Sequence, residues 1–395
     1  MILAVATGNE DVLSKMTALN DLKWYTTFFF LIGAILSFAD PVTDVFTLAE
    51  YYKENHLRWF KWGVTFIIVP CLAFGILTLV NHDGLTALVR RVNPFSPAWA
   101  SLKAFLLCLK NFKKLWRGEQ VDCEDHEIDD VNRLITYVKL APFTEAIMES
   151  IPQLIIQLYA ATVLEEPVKI IQIISLSVSC VSIVWAFTAA DEFLHVGEIE
   201  VKIKDKVLFF VGNLFFLTSR LLAICYVILG SRISFPVIVL FHSLIVTAFD
   251  CYPCERSCER RMLEMFFLLF HWIRDDLCVL FDEEHLGSRR RRLRRIQWLS
   301  HVMFVMENFA MILLFFYFSK FSNTWYAFPV TMYVCTASIL GSFIRLVHFR
   351  FLLKGRVAPE ANVTSEELEA VGLAIQRELM NAFAFAQAWQ SAHQR

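Results

Sequence analysis

The chain has 395 residues, of which 56% are apolar and only 19% charged, and its mean hydropathy is +0.50. Soluble domains sit nearer half apolar with about a quarter of residues charged, so this balance argues against a water-soluble enzyme and for a chain solvated by lipid. The formal net charge of −2 gives no sign of a nucleic-acid partner, and the distribution of charge carries more information than its sum.

Residues 1–24, including Gly8-Asn9-Glu10-Asp11, are polar and mildly acidic. They lack the basic start, short apolar core and small-residue cleavage site of a signal peptide, so the first membrane helix is expected to serve as the insertion signal. Eight stretches then approach the roughly 20 apolar residues that cross a ~30 Å hydrocarbon core. They run over 25–48, 60–80, 138–163, 168–190, 207–229, 234–251, 297–319 and 326–350. Two further stretches, Trp99–Trp116 and Met262–Phe281, are broken by charge: Lys103, Lys110, Lys113 and Lys114 in one, His271, Arg274, Asp275 and Asp276 in the other. They read as interfacial or re-entrant helices.

With the N-terminus in the cytosol, the inner loops carry Arg90 and Arg91, the Lys103–Arg117 cluster, Lys202, Lys204 and Lys206, Arg256, Arg260 and Arg261, and Arg289–Arg292 with Arg294 and Arg295. The outer loops hold only Lys53, Arg58, Arg232 and Lys320 as clear cations. One orientation thus satisfies the positive-inside rule in every loop and places both termini in the cytosol. Two spans, an interrupted segment and two more spans occur twice, which predicts two parallel halves, 25–190 and 207–350. The expected architecture is an all-α polytopic membrane protein with a membrane domain over 25–353 and a cytosolic tail over 354–395. None of the ten cysteines falls in an expected outer loop, so extracellular disulfides are not expected. Cys251, Cys254 and Cys258 cluster at a membrane boundary, as candidates for acylation or as plain reduced thiols. The spacing lacks the fourth ligand of a zinc site, and no metal or other cofactor is expected.

Ionisable groups inside apolar spans are the informative residues, because each costs roughly 2.5–3.5 kcal/mol at mid-bilayer on insertion scales. Span one holds Asp40 and Asp44, span three Glu145 and Glu149, span five Arg220 and span seven Glu307. Each pair of acids is four residues apart and so shares a helix face. In span three the series continues through Gln153 and Gln157, a slanted polar stripe about 18 Å long that drifts by about 40° per step. Pro41 and Pro152 each free a backbone carbonyl beside these acids. Five acids outnumber Arg220, so the set reads as a polar path; a pair that only fixes helix register remains the alternative for Arg220 itself.

At these residues the chain resembles the XK-related family of membrane proteins, some of whose members are apoptotic phospholipid scramblases. The likeness rests on Asp40-Pro41-Val42-Thr43-Asp44 with the Tyr51–Phe60 loop, on Glu145–Tyr159 with its Glu-Ser-Ile-Pro-Gln-Leu core, on Asn213–Arg220, and on Met306–Asn308. The resemblance spans residues 20–352. It implies eight spans, two re-entrant segments and an internal repeat, in the plasma membrane. It also implies a staircase of charged side chains, with Asp40, Asp44, Glu145, Glu149, Arg220 and Glu307 at matching positions. Along it a phospholipid headgroup, that of phosphatidylserine included, would move without energy input while its tails stay in hydrocarbon. Acids would hold an ammonium, and Arg220 would fork onto a phosphate. The protein would not be an enzyme.

In several relatives a caspase activates scrambling by cutting the C-terminal tail, but Lys354–Arg395 contains no Asp. Asp11 and Asp122 are the remaining candidate protease sites, neither followed by a small residue. The tail carries a capping box, Thr364 with Glu367, and then apolar residues at helical intervals, so it is expected either to dock and restrain the path or to lie on the membrane. Two other readings stay open: an ion- or proton-coupled solute transporter, and a scaffold for a bridge-like lipid-transfer protein or a single-pass membrane glycoprotein.

Overall fold

The computed structural model describes residues 22–80, 93–117, 125–164, 167–194, 202–231 and 286–347, with positions 234, 236–238 and 240. The tail helix, the cysteine cluster, Asp11, Asp122, the second interrupted segment and most of the sixth expected span lie outside the described residues. Helix is the regular structure of all the others: α1 (Thr26–Lys53), α2 (Leu57–Val80), α3 (Ser96–Lys110), α4 (Phe112–Arg117), α5 (Asp125–Glu145), a wide π-turn (Ala146–Ser150), α6 (Ile151–Val163), α7 (Ile170–Leu194), α8 (Ile203–Gly230), α9 (Leu286–Phe318) and α10 (Ala327–Val347). Six helical stretches among the described residues are long and apolar enough to cross a membrane, which makes this a multi-pass membrane protein. The described residues fall into two compact units, one ending in the chain at Lys206 and the other beginning at Val207.

Helix α1 runs five residues beyond its expected end because its last turns are still inside a core, where Tyr51 and Leu48 pack with Ala160. Its stop has a clear cause. The His56 amide donates to the Tyr51 carbonyl at 2.8 Å and the Asn55 amide to the Tyr52 carbonyl at 3.1 Å, while Asn55 takes φ 62°. This is a Schellman turn, with Asn at the left-handed position that glycine usually fills. Lys169 then ties that turn to the start of α7, bonding Glu50 at 3.1 Å and also Glu54. The two carboxylates, Glu54 first, hold the Lys169 ammonium above the ordinary lysine range.

The first interrupted segment is helical throughout. Asn93 opens it by accepting from the Phe95 amide at 3.0 Å, Pro97 sits in the first turn, and Asn111 closes α3 through its side-chain bond to the Leu107 carbonyl. Ala100, Ser101, Ala104 and Cys108 make one buried face of small side chains, which lets α3 lie close against α1 and α5. With Phe30, Leu115, Ile135 and Val138, that face forms a core at the N-terminal end of α1. The short α4 carries Lys113, Lys114 and Arg117, and the ring of its Trp116 lies 4.9 Å from that of Trp24, tilted by 55°. An aromatic pair beside cations is what a membrane–water boundary selects.

The third expected span is one helical rod with a defect in it. Across Ala146–Ser150 the backbone widens, and the Ile151 amide reaches back five residues to the Ala146 carbonyl. Pro152 is the local cause: it offers no amide hydrogen, and its ring crowds the carbonyl of Met148, four residues earlier.

In the second unit α8, α9 and α10 pack around Phe216, Phe304 and Phe315. The rings of Phe216 and Phe304 lie 3.7 Å apart, and Tyr226 stacks on Phe315 at 4.1 Å. In both units the outward faces are apolar, for example Ile35, Phe38, Val45 and Phe46 on α1 or Phe328, Ile339 and Phe343 on α10. Water would reject such faces, and hydrocarbon accepts them.

Gly341 marks a close approach of α10 to the backbone of α8. A Cβ there would stand 2.6 Å from the Phe216 amide nitrogen, which cannot move without shifting α8. Gly341→Ala is therefore expected to lower stability by about 1–3 kcal/mol, as overpacking does. Melting of the detergent-purified chain reads this. Gly33→Ala is the milder comparison, because its new Cβ meets the indole nitrogen of Trp185 at 3.3 Å rather than backbone. Equal melting temperatures for wild type and Gly341→Ala would refute the close approach.

Candidate functional site

The first unit gathers its acids around the middle of α1. Four residues separate Asp40 from Asp44, so both project into the interface with α6 and α7, and both are buried. Asp40 accepts from Ser150 at 2.8 Å and from Ser179 at 2.5 Å. Asp44 accepts from Gln157 at 2.9 Å and from Ser175 at 2.8 Å, with Ser179 at 3.5 Å. Every one of these donors is neutral, and among the described residues no cation pairs with either carboxylate. The network ties α1, the wide turn, α6 and α7 into one polar core.

Glu149 is buried in the wide turn, and Glu145 is half-buried at the end of α5. Neither has a hydrogen-bond or ion-pair partner among the described residues. Gln153 is fully buried, yet both atoms of its amide are unbonded. It lies under α2, where a Cβ on Gly63 would come within 3.2 Å of the amide and would collide with Leu48. A buried, unpaired amide costs about 1–3 kcal/mol, so this is a point where the packing favours a polar guest. The expected stripe of Glu145, Glu149, Gln153 and Gln157 is thus partly joined to α1, through Gln157, and partly without partners. The wide turn also breaks the steady drift that a regular helix would give it.

Arg220 is a different case. Its guanidinium is completely buried in the second unit, donates to Glu307 at 2.5 Å and to Asn308 at 2.9 Å, and stands 5.0 Å over the ring of Phe304. Asn308 passes the link on to Ser338 at 2.8 Å. Nearby Arg345, also buried, bonds Asn213 and lies 4.9 Å over Phe216. Arg220 is therefore expected by sequence to reach a phosphate but is held here by a carboxylate, an amide and an aromatic face.

Sequence reasoning missed the hydroxyl donors Ser150, Ser175 and Ser179. The signal was available in part, since Ser175 and Ser179 recur at four residues and so share a helix face. It also missed Arg345, which closes an expected span and looks like a boundary cation.

Removing one partner of a buried pair strands the other. Arg220→Met is expected to cost about 3–5 kcal/mol, and the double change Arg220→Met/Glu307→Leu to recover more than half of that. Arg220→Lys should not substitute, because an ammonium cannot make the planar fork. Thermal unfolding of wild type, Arg220→Met, Glu307→Leu and the double form measures the coupling, and simple additivity would show that the pair does not act as one.

The model of the XK-related protein family matches residues 28–354. The chain is also 21% identical over 244 residues to XK-related protein 9 of Tetraodon nigroviridis, an alignment that covers 55% of this chain and 62% of the relative. The match thus spans less than two thirds of that relative's own length. The family match takes in all but the first two residues of the described helices and all of the intramembrane acids, so this chain belongs to the XK-related family.

Proposed function

We propose that this protein is a phospholipid scramblase, exchanging lipids, phosphatidylserine among them, in both directions between plasma-membrane leaflets without an energy source. The observation that carries the reading is the acid excess in the first unit: Asp40 and Asp44 share only neutral donors, and Glu149 has no partner among the described residues. Such a site is complementary to a cationic group that can leave water briefly, which the ammonium or choline of a headgroup is. Apolar outer faces let the acyl chains stay in hydrocarbon meanwhile.

On this reading the chain has eight spans and two re-entrant helices, with cytosolic ends, in two repeated halves. A parallel inside the two units supports the repeat. In one, α1 is bonded to the wide turn through Ser150 and to α7 through Ser179; in the other, α8 is bonded to α9 through Asn308 and to α10 through the Tyr333 hydroxyl. Corresponding helices in the expected order make corresponding links.

The test is leaflet exchange of a fluorescent lipid in liposomes holding the purified chain, read by dithionite quenching. Exchange above protein-free liposomes is expected, with Glu149→Ala and Asp44→Asn each slowing it by tenfold or more. Ser177→Ala, whose hydroxyl bonds only its own helix, should leave the rate unchanged. Removing residues 357–395 should raise the rate if the tail restrains the path. A well-folded chain that exchanges no lipid with or without the tail would sink autonomous scrambling and favour a scaffold.

A further inference from the structure

Helix α2 forms a wall one helix thick along the acid stripe. It packs on α6 and the wide turn, while on its other face Trp62, Ile68, Val69 and Leu72 are exposed. Gly63 lies over Gln153: a Cβ there would stand 3.2 Å from the amide nitrogen and 3.3 Å from the amide oxygen. Cys71, about two turns further along α2, comes within electrostatic reach of Glu149 and Glu145. Helix α2 thus runs opposite in direction to the stripe, passing Gln153 first and the acids after. A glycine offers no side-chain donor, and a thiol offers only a weak one. Behind this wall the stripe keeps acceptors without donors. The Glu149 carboxylate has no partner among the described residues, and the Oε1 atoms of Gln153 and Gln157 are buried and unbonded. The Nε2 donor of Gln157 is taken by Asp44 at 2.9 Å, whereas that of Gln153 is unbonded. These three residues are spaced by four and so lie on neighbouring turns of one rod.

We infer that the seam between α2 and this rod is a subsite for primary-ammonium headgroups, those of phosphatidylethanolamine and phosphatidylserine, and discriminates against choline. This selectivity rests on the lipid path proposed above. Both kinds of headgroup carry a positive nitrogen, so charge alone cannot tell them apart. Hydrogen bonding can: a primary ammonium brings three N–H donors to the three open acceptors, Glu149, Gln153 and Gln157. A trimethylammonium brings none and would leave the buried amide oxygens unbonded, which is the mismatch that polar sites reject most strongly. The remaining donor, Nε2 of Gln153, suits the headgroup phosphate, two carbons from the nitrogen. Entry displaces α2, and neither amide atom of Gln153 gives up a hydrogen bond when it does. Because the outer face of α2 is apolar and exposed, the acyl chains of a lipid held in the seam reach hydrocarbon past a single helix.

Acyl-labelled phosphatidylethanolamine and phosphatidylcholine would be compared for leaflet exchange in liposomes holding the full chain. The ethanolamine lipid is expected to exchange about threefold to tenfold faster. Gln153→Met, which keeps the shape and removes the amide, should bring that ratio close to one, while Ser177→Ala should keep the wild-type ratio. Gln153→Met should also melt no lower than wild type, because it removes a buried amide that has no bond to lose. A large drop in its melting temperature would show that the amide is bonded within the protein and would overturn the subsite. Equal rates for the two lipids in wild type would overturn the selectivity and leave the lipid path standing. If neither lipid exchanges, the lipid path itself fails and binding decides. Dioctanoyl phosphatidylethanolamine should then raise the melting temperature of the detergent-purified chain at concentrations at least threefold lower than dioctanoyl phosphatidylcholine needs. Equal concentrations for the two would overturn the subsite.

Discussion

Asp40 and Asp44 sit in the middle of an apolar bundle with donors on their oxygens, and in the first unit those bonds set the packing. Asp40 takes Ser150 and Ser179, and Asp44 takes Gln157 and Ser175. Those four donors come from the wide turn, α6 and α7, so α1 cannot roll or slide without abandoning several bonds at once. The small face of α3 and the Schellman turn at Asn55 then fix the two ends of α1 around this centre.

The second unit meets the same requirement with the opposite charge. Arg220 is matched by Glu307, Asn308 and the face of Phe304, leaving its planar group enclosed on the sides these partners cover. The contrast is chemical. Serines and a glutamine satisfy a carboxylate without supplying an opposite charge. A glutamate cancels an arginine, so the second unit has a clamp whose worth lies in specificity as much as in stability.

The apolar spans, the multi-pass character and the acids at shared faces were all legible in the sequence, because lipid demands long apolar runs and makes each buried charge conspicuous. The donors were not. Ser175 and Ser179 look no different from Ser177 and Ser182 on the same helix, and only the packing decides which hydroxyls turn inward. The wide turn was hidden for a similar reason. Pro152 signals a disturbance but does not say whether the helix kinks, breaks or widens. Lys206 reads as a loop cation until α8 carries it over the rings of Tyr25 and Phe29.

The wide turn has a consequence of its own. In crystals, an extra half-row of atoms is a dislocation, and it can glide because each step breaks one contact and makes another. Ala146–Ser150 is the helical counterpart, holding its amide to a carbonyl five residues back within a rod that otherwise follows the regular pattern. Gliding it by one residue exchanges one backbone bond for another and turns the side chain passed over by about 100°, while both ends of the rod stay where they are. Glu149 lies on that gliding stretch, so the direction of its carboxylate is a separate degree of freedom from the position of the helix that carries it.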